Sequence, residues 1–398
     1  MKVKYFDTII INFCVICIFV FYYFTQPIIT YKNCPLCDGN DYLVMYDYFK
    51  NNTTQFLPDF PFHNRLFVPF LASLIPSKSP IFSFQIINFI FIILSVNSIY
   101  FFWKYLKINT LLSIIGLFWL CFHWTGIIRL NQMDCLTVDV PSYFFHILLI
   151  YFVIEKKYFP LLLITPFATL QKESFLALLI IVLIFNFLYA YKIDKKINYN
   201  YILLAFLISL IVKMVANQYF PPQNSLGKNP IVTLFFHLFE AFDNPMLIIR
   251  WLISIFMGFG CFILLAFQNT SFQKNNQNHY SGNLLLALSV GSMALGLVAG
   301  NDSTRIIFLG FPFIMTWIFL QINHEKKEII LLTLLFSLPL MRLLSVIPDA
   351  TKNWQLFAIW YPEYAELSIV NAWGIYMFIC FGVIFWVKKK YDWLSSEV

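Results

Sequence analysis

Apolar runs broken by short polar pieces make up most of this chain. A helix needs about 20 mostly apolar residues to cross a bilayer. Twelve runs approach or reach that length: 7–25, 80–103, 108–123, 137–154, 158–170, 174–191, 199–216, 246–267, 283–299, 306–321, 328–346 and 367–387. The pattern predicts an all-α polytopic membrane protein with about 12 transmembrane helices, residues 1–398 forming a single integral membrane domain. Runs 158–170 and 174–191 are read as a pair of short helices, because together they are too long for one untilted span.

The longest stretches between runs are 26–79, 217–245 and 347–366. With the N-terminus inside, all three fall on the outer side. Lys2, Lys4, Lys104, Lys107, Lys156, Lys157, Lys192, Lys195, Lys196, Lys274, Lys326, Lys327 and Lys388 to Lys390 then fall inside, and most acidic residues fall outside. Excess Lys and Arg marks the cytoplasmic side. The expected location is therefore the cytoplasmic (inner) membrane, with both termini cytoplasmic. The first run ends in Tyr22, Tyr23 and Phe24 without a small-residue cleavage site, so it reads as a retained span. Because the inner loops are short, any chemistry is expected on the outer face.

Composition strengthens this picture. Hydrophobic residues are 60% and aromatics 20%, while charged residues are only 12%, about half the usual soluble share. A soluble globular enzyme, a disordered chain and a small disulfide scaffold are excluded. The formal charge of +7 carries meaning only once it is divided by side.

The first outer stretch is the richest in chemistry. Cys34 and Cys37 are spaced for a local disulfide that would brace the Asp38 turn. Gly39 and Asn40 suit a turn, and a helical pattern starts at Asp41. Tyr42, Met45, Tyr46 and Phe49 then form one apolar stripe. Such a helix is expected to lie interfacially, aromatics at headgroup level. Asp41 at its start is a candidate general base, the helix dipole favouring its ionised form. The plainer alternative makes Asp41 an N-cap and Asp38 a turn residue. Arg65 precedes a short apolar piece that reads as a re-entrant or interfacial helix; its guanidinium suits either a phosphate or a snorkelling role.

Further along, Arg129, Asp134 and Asp139 share the second outer loop. Lys172 and Glu173 sit at the turn between two short runs, where charges below the headgroups are costly and mark function. Asp302 and Arg305 follow Gly300-Asn301 and are spaced to pair on one helix face. Lys213, Arg250 and Arg342 interrupt apolar runs in the outer half of the membrane and suggest an anionic ligand such as a lipid phosphate. The six His residues show no metal-ligand spacing, so no metal site is assigned, with a divalent cation left open as a cofactor. The N-x-[ST] triplets at Asn51, Asn52, Asn269 and Asn301 are what an Asn-rich chain throws up by chance. Nucleic-acid binding has no support.

Taken in order, these features resemble the GT-C superfamily of polytopic glycosyltransferases, in particular bacterial members of unassigned substrate. The resemblance rests on Asp38-Gly39-Asn40-Asp41-Tyr42, the amphipathic helix after it, Arg65-Leu66-Phe67-Val68-Pro69, Lys172-Glu173 and Asp302-Ser303-Thr304-Arg305. It implies transfer, with inversion, from a polyprenyl-phosphate-linked sugar to a glycan, lipid or protein acceptor. Carried over, Asp41 would be the base, with Asp38 the other candidate. Arg65, Lys172 and Arg305 would steady the leaving phosphate. Glu173 and Asp302 would orient these cations or bind sugar hydroxyls, and the 231–239 run could cover an acceptor cleft. Arg129, Arg250 and Arg342 complete the candidate lipid-phosphate contacts. The competing expectations are a lipid-linked oligosaccharide polymerase and a transporter or flippase for lipid-linked sugars. Asp41, Arg65, Lys172 and Asp302 are expected to converge in one outer cavity.

Overall fold

A computed structural model describes residues 5–34, 37–192, 199–223, 230–269, 276–298 and 302–396. Lys2, Lys4, Lys195, Lys196, Lys274, Gly300 and Asn301, together with part of the 217–245 stretch, lie outside the described residues. Among the described residues the regular structure is helical, with no strand. Each of the twelve apolar runs is occupied by helix. Six helices are long and apolar enough to cross a membrane: Phe6–Thr25, Pro80–Tyr105, Ser174–Tyr191, Asn200–Tyr219, Tyr280–Val298 and Leu367–Lys390. The number rises to eight if each of two bent pairs is one span. Thr110–Phe122, Val140–Ile154 and Tyr158–Gln171 are apolar but shorter.

The breaks have local causes. Asn244 caps the helix Pro245–Phe259, its side chain accepting from Met246 N–H at 3.2 Å, and Pro245 opens that helix. A bend of 105° separates it from the helix before it. The expected single helix over 246–267 is interrupted at Gly260, whose φ of 62° and ψ of −156° belong to glycine. A Cβ there would meet Ser337 Oγ at 2.6 Å. The Cys261 N–H freed by the break donates to that same oxygen at 2.9 Å. The run 306–321 bends by 67° at Gly310, where Pro312 cannot supply an N–H to the preceding turn.

The chain packs as two compact units, one from residues 1–102 and 127–230, the other from 103–126 and 231–398. In the first, Asn97 donates to Asn12 at 2.6 Å and Tyr100 to Asp7 at 2.9 Å, tying the first helix to Pro80–Tyr105. The outward side chains Phe6, Phe13 and Phe24 give that first helix an apolar exterior, as lipid contact requires.

The helix after the first span runs Asp38–Phe49, three residues earlier than its stripe predicts. Gly39 and Asn40 thus lie in its first turn, and the N-cap position is Cys37, not Asp41. The helix begins next to the Cys34–Cys37 disulfide, the pairing expected from the spacing. Its stripe does not face headgroups. Tyr42, Met45 and Tyr46 are buried in the chain, Tyr46 against Phe84 at 6.1 Å. The short helix Phe67–Ser73 packs on it, with Phe70 against Phe49 at 5.5 Å, and Phe62 lies against Tyr42 at 5.9 Å.

In the second unit the helix Pro230–Asp243 does show an exposed apolar face, made by Val232, Phe235, Phe236, Phe239 and Phe242. That is the chemistry of an interfacial helix. The core of this unit holds His123, whose Nε2 lies 2.9 Å from Met257 O and Nδ1 2.8 Å from Thr125 Oγ1. Its ring stacks on Phe308 at 4.9 Å.

Candidate functional site

The residues singled out in the first unit meet at a break in helical structure. Tyr158–Gln171 ends and Ser174–Lys192 begins with two residues between them. Lys172 between them is extended, with φ −163° and ψ 141°. Side chains alternate direction in extended backbone, so neighbours 172 and 173 reach different partners. Lys172 forms a buried ion pair with Asp139, and Gln171 donates to Val138 O. Glu173 takes Arg65 in a two-bond clamp, from Nε at 2.9 Å and from Nη2.

Arg65 lies between the 3₁₀ turn Phe62–Asn64 and the helix Phe67–Ser73, the polar start that the sequence suggests. Its third nitrogen, Nη1, donates to Tyr42 Oη at 2.6 Å, and its plane sits 5.0 Å from the Phe62 ring. Burial works against ionisation of Glu173, but the Arg65 charge and hydrogen bonds win and draw its carboxyl down to about 2. Burial also works against the guanidinium, and Glu173 more than compensates. Such a bidentate pair is geometrically specific.

Asp41 directly precedes Tyr42 on the helix Asp38–Phe49. It is half-buried, and its Oδ1 accepts from Asp59 N–H at 2.6 Å. Among the described residues this is its one hydrogen-bond donor. Burial raises its carboxyl above the ordinary range, the Asp59 N–H opposes this, and the neighbouring Asp59 and Asp38 charges add to the rise. Arg65 acts electrostatically on both Asp38 and Asp41. Asp38, Asp41, Arg65, Glu173 and the Lys172–Asp139 pair therefore form one charged neighbourhood inside the first unit.

The other predicted residues have surroundings of their own. Arg129 is buried with its guanidinium 5.1 Å from the Tyr22 ring. Asp302, Arg305, Arg250 and Arg342 belong to the second unit. Asp302 pairs with Arg305 at 3.1 Å and accepts from Tyr364 Oη at 2.5 Å. Arg250 donates to Glu363 O at 2.5 Å. Arg342 does not interrupt a span. It ends the helix Lys327–Met341 in a left-handed conformation, φ 50° and ψ 46°. Its guanidinium lies 4.6 Å from Trp360, 5.4 Å from Trp124 and 5.6 Å from Trp373, and it donates to Ile359 O at 3.1 Å.

The pairing changes what the cations can do. Arg65, Lys172 and Arg305, expected to meet a phosphate, are each held by a carboxylate. Within the first unit, this suits Arg65 and Lys172 to hold the geometry of the charged neighbourhood.

Sequence reasoning passed over Glu363. Its carboxylate accepts from Thr304 N at 3.0 Å and Thr304 Oγ1 at 2.8 Å, with Ser254 Oγ at 3.4 Å. Burial, partly offset by these donors, pushes its carboxyl up to about 7. An acidic residue after Pro362 is ordinary in a loop, so nothing in the sequence marked it. Among the described residues no three His, Cys, Asp or Glu side chains are grouped to hold a metal.

No protein-family model matches this chain, and no curated protein or solved structure matches it.

Proposed function

We propose that this multi-pass membrane protein is a GT-C-type glycosyltransferase with twelve crossings and both termini in the cytoplasm. It transfers a sugar from a polyprenyl-phosphate-linked donor to an acceptor on the extracytoplasmic face. The observation that carries the reading is Asp41, half-buried, oriented through one oxygen by Asp59 N–H, and within electrostatic reach of Arg65. A carboxylate held by one oxygen and raised by burial suits a general base. In the proposed step the acceptor hydroxyl gives its proton to Asp41 and attacks the anomeric carbon. The bond from that carbon to the phosphate oxygen breaks, and the lipid phosphate leaves with the electron pair.

The test is sugar transfer from extracted lipid-linked donors in membranes holding wild type or Asp41→Asn at equal protein level. Loss of a positioned base costs at least about a hundredfold in rate. The wild-type rate falls on the acid side, below a pKa higher than an ordinary Asp, because the base must be ionised. Unchanged transfer by Asp41→Asn would overturn the assignment.

A second reading has its own observation. The helix breaks at Gly260 and Gly310 give the second unit the discontinuous helices that transporters use at binding sites. Uptake of a lipid-linked sugar with its sugar–phosphate bond intact, and no transfer, would favour that reading.

A further inference from the structure

Arg65, Lys172 and Arg305 are matched to carboxylates, but Lys213 is not. It lies within Asn200–Tyr219, a candidate span. Among the described residues no carboxylate is within ion-pair distance of it. An ammonium on an apolar helix is costly and marks a functional site unless a partner compensates it. Lys213 lines a small cleft in the first unit together with Asn64, Thr169 and Glu173, between the apolar walls of Leu170 and Leu176.

The cleft holds a second unmatched group. Asn64 is 8% exposed, and its Oδ1 has no hydrogen-bond partner. A buried amide left unsatisfied costs free energy that a ligand can return. Its neighbour His63 is 2% exposed, anchored through Nε2 to Asn217 Oδ1 at 3.0 Å. Burial lowers the tendency of His63 to ionise, against the pull of Asn217, and the Lys213 charge lowers it further. Thr169 Oγ1 is taken up by Thr165 O at 2.8 Å and Ser209 Oγ at 2.7 Å, which fixes that wall. Glu173 is neutralised by Arg65, so the cleft carries the surplus positive charge of Lys213. Ile211, Met214 and Val215 on the same helix are exposed and apolar, so the surroundings of the cleft have bilayer-like chemistry.

We propose that this cleft binds a phosphate ester that carries a free hydroxyl, with Lys213 on the phosphate and Asn64 divided between phosphate and hydroxyl. The amide has two donors for phosphate oxygens and an unmatched acceptor for a hydroxyl. Glu173 lines the same cleft with its carboxylate already taken by Arg65, so Lys213 supplies the attraction for the phosphate and the Asn64 amide oxygen is left for the hydroxyl. This deepens the transferase reading, on which it rests for the identity of the donor, by placing the phosphate contact on a residue with charge to spare.

The test uses full-length protein in phosphatidylcholine nanodiscs and native mass spectrometry of retained ligand. Two probes carry the same chemistry, sn-glycerol 3-phosphate in the buffer and phosphatidylglycerol doped into the disc. Wild type is expected to retain a probe, Lys213→Arg to keep it, and Lys213→Met to weaken retention at least about tenfold, as loss of a charged hydrogen bond does. Asn64→Ala weakens it in the same direction and gives a second readout should Lys213→Met fold poorly. Retention of glycerol phosphate assigns the site to soluble phosphates, and retention of phosphatidylglycerol alone assigns it to a lipid headgroup. Retention of neither, or equal retention by wild type and Lys213→Met, overturns the inference. Asp41→Asn is expected to keep retention while losing transfer, so failure of the cleft and failure of the transferase reading are distinguishable.

Discussion

Removing one partner at a time from the Lys172–Asp139 pair should destabilise the protein with opposite pH dependences. Both side chains are nearly out of solvent, at 10% and 7% exposure. At an effective dielectric of about 20, charges about 4 Å apart attract by about 4 kcal/mol. Breaking such a buried pair from one side costs about 3–5 kcal/mol, because the remaining charge is left uncompensated. The orphan can escape by neutralising itself. At pH 7 that costs about 4 kcal/mol for an aspartate and about 5 kcal/mol for a lysine, from their ordinary pKa values. These figures cap the loss.

The signs follow from which group remains. In Lys172→Met, Asp139 loses the ammonium beside it, so the folded variant holds the Asp139 proton more tightly than wild type does. The deficit is then smallest near pH 4 and grows as pH rises, by at most about 1.4 kcal/mol per unit. In Asp139→Asn, Lys172 loses that carboxylate, so the folded variant releases the Lys172 proton more readily than wild type does. That deficit shrinks as pH rises toward about 10. Reversible unfolding in mixed micelles between pH 5 and 9 reads both slopes. The double variant Lys172→Met/Asp139→Leu should recover most of the stability, since a packed apolar pair replaces a buried ionic one. Losses below about 1 kcal/mol in both single variants, with parallel pH trends, would refute the reasoning and show a solvated pair.

Glu363 should make the second unit's stability pH-dependent. Its folded pKa of about 7 exceeds the unfolded carboxylate value, so its contribution is present at low pH and is lost as pH rises from about 4.5 to 7. Glu363→Gln is expected to flatten that part of the unfolding profile, and a slope that survives the substitution would assign it to another group. Gly260→Ala should destabilise by about 1–3 kcal/mol, through both a glycine-only conformation and overlap with Ser337 and Trp119. Thermal unfolding tests it, and a neutral result would mean the helix break is not held in this conformation.

The membrane character was legible along the chain, because each apolar run supplies its own requirement for lipid or burial and its length can be counted. Helix breaks were less legible. The run 306–321 reads as continuous although Pro312 lies in it, and Gly260 becomes a break where Ser337 of another helix takes up the freed N–H. The stripe Tyr42, Met45, Tyr46 was read correctly as one face, but what covers a face is decided by packing. Phe62 covers Tyr42, Phe84 covers Tyr46 and Phe70 meets Phe49, so the aromatics turned inward.

The charged residues divide in the same way. Asp38, Asp41, Arg65, Lys172 and Glu173 stood out because charge is rare in this sequence, and the structure gathers them in one unit. Their pairing could not be read, because Arg65 meets Glu173 across 108 residues and Lys172 meets Asp139 across 33. Ion pairs and orphaned groups are properties of proximity. Composition shows that a cation exists, and only tertiary structure shows that Arg65 and Lys172 are compensated and Lys213 is not.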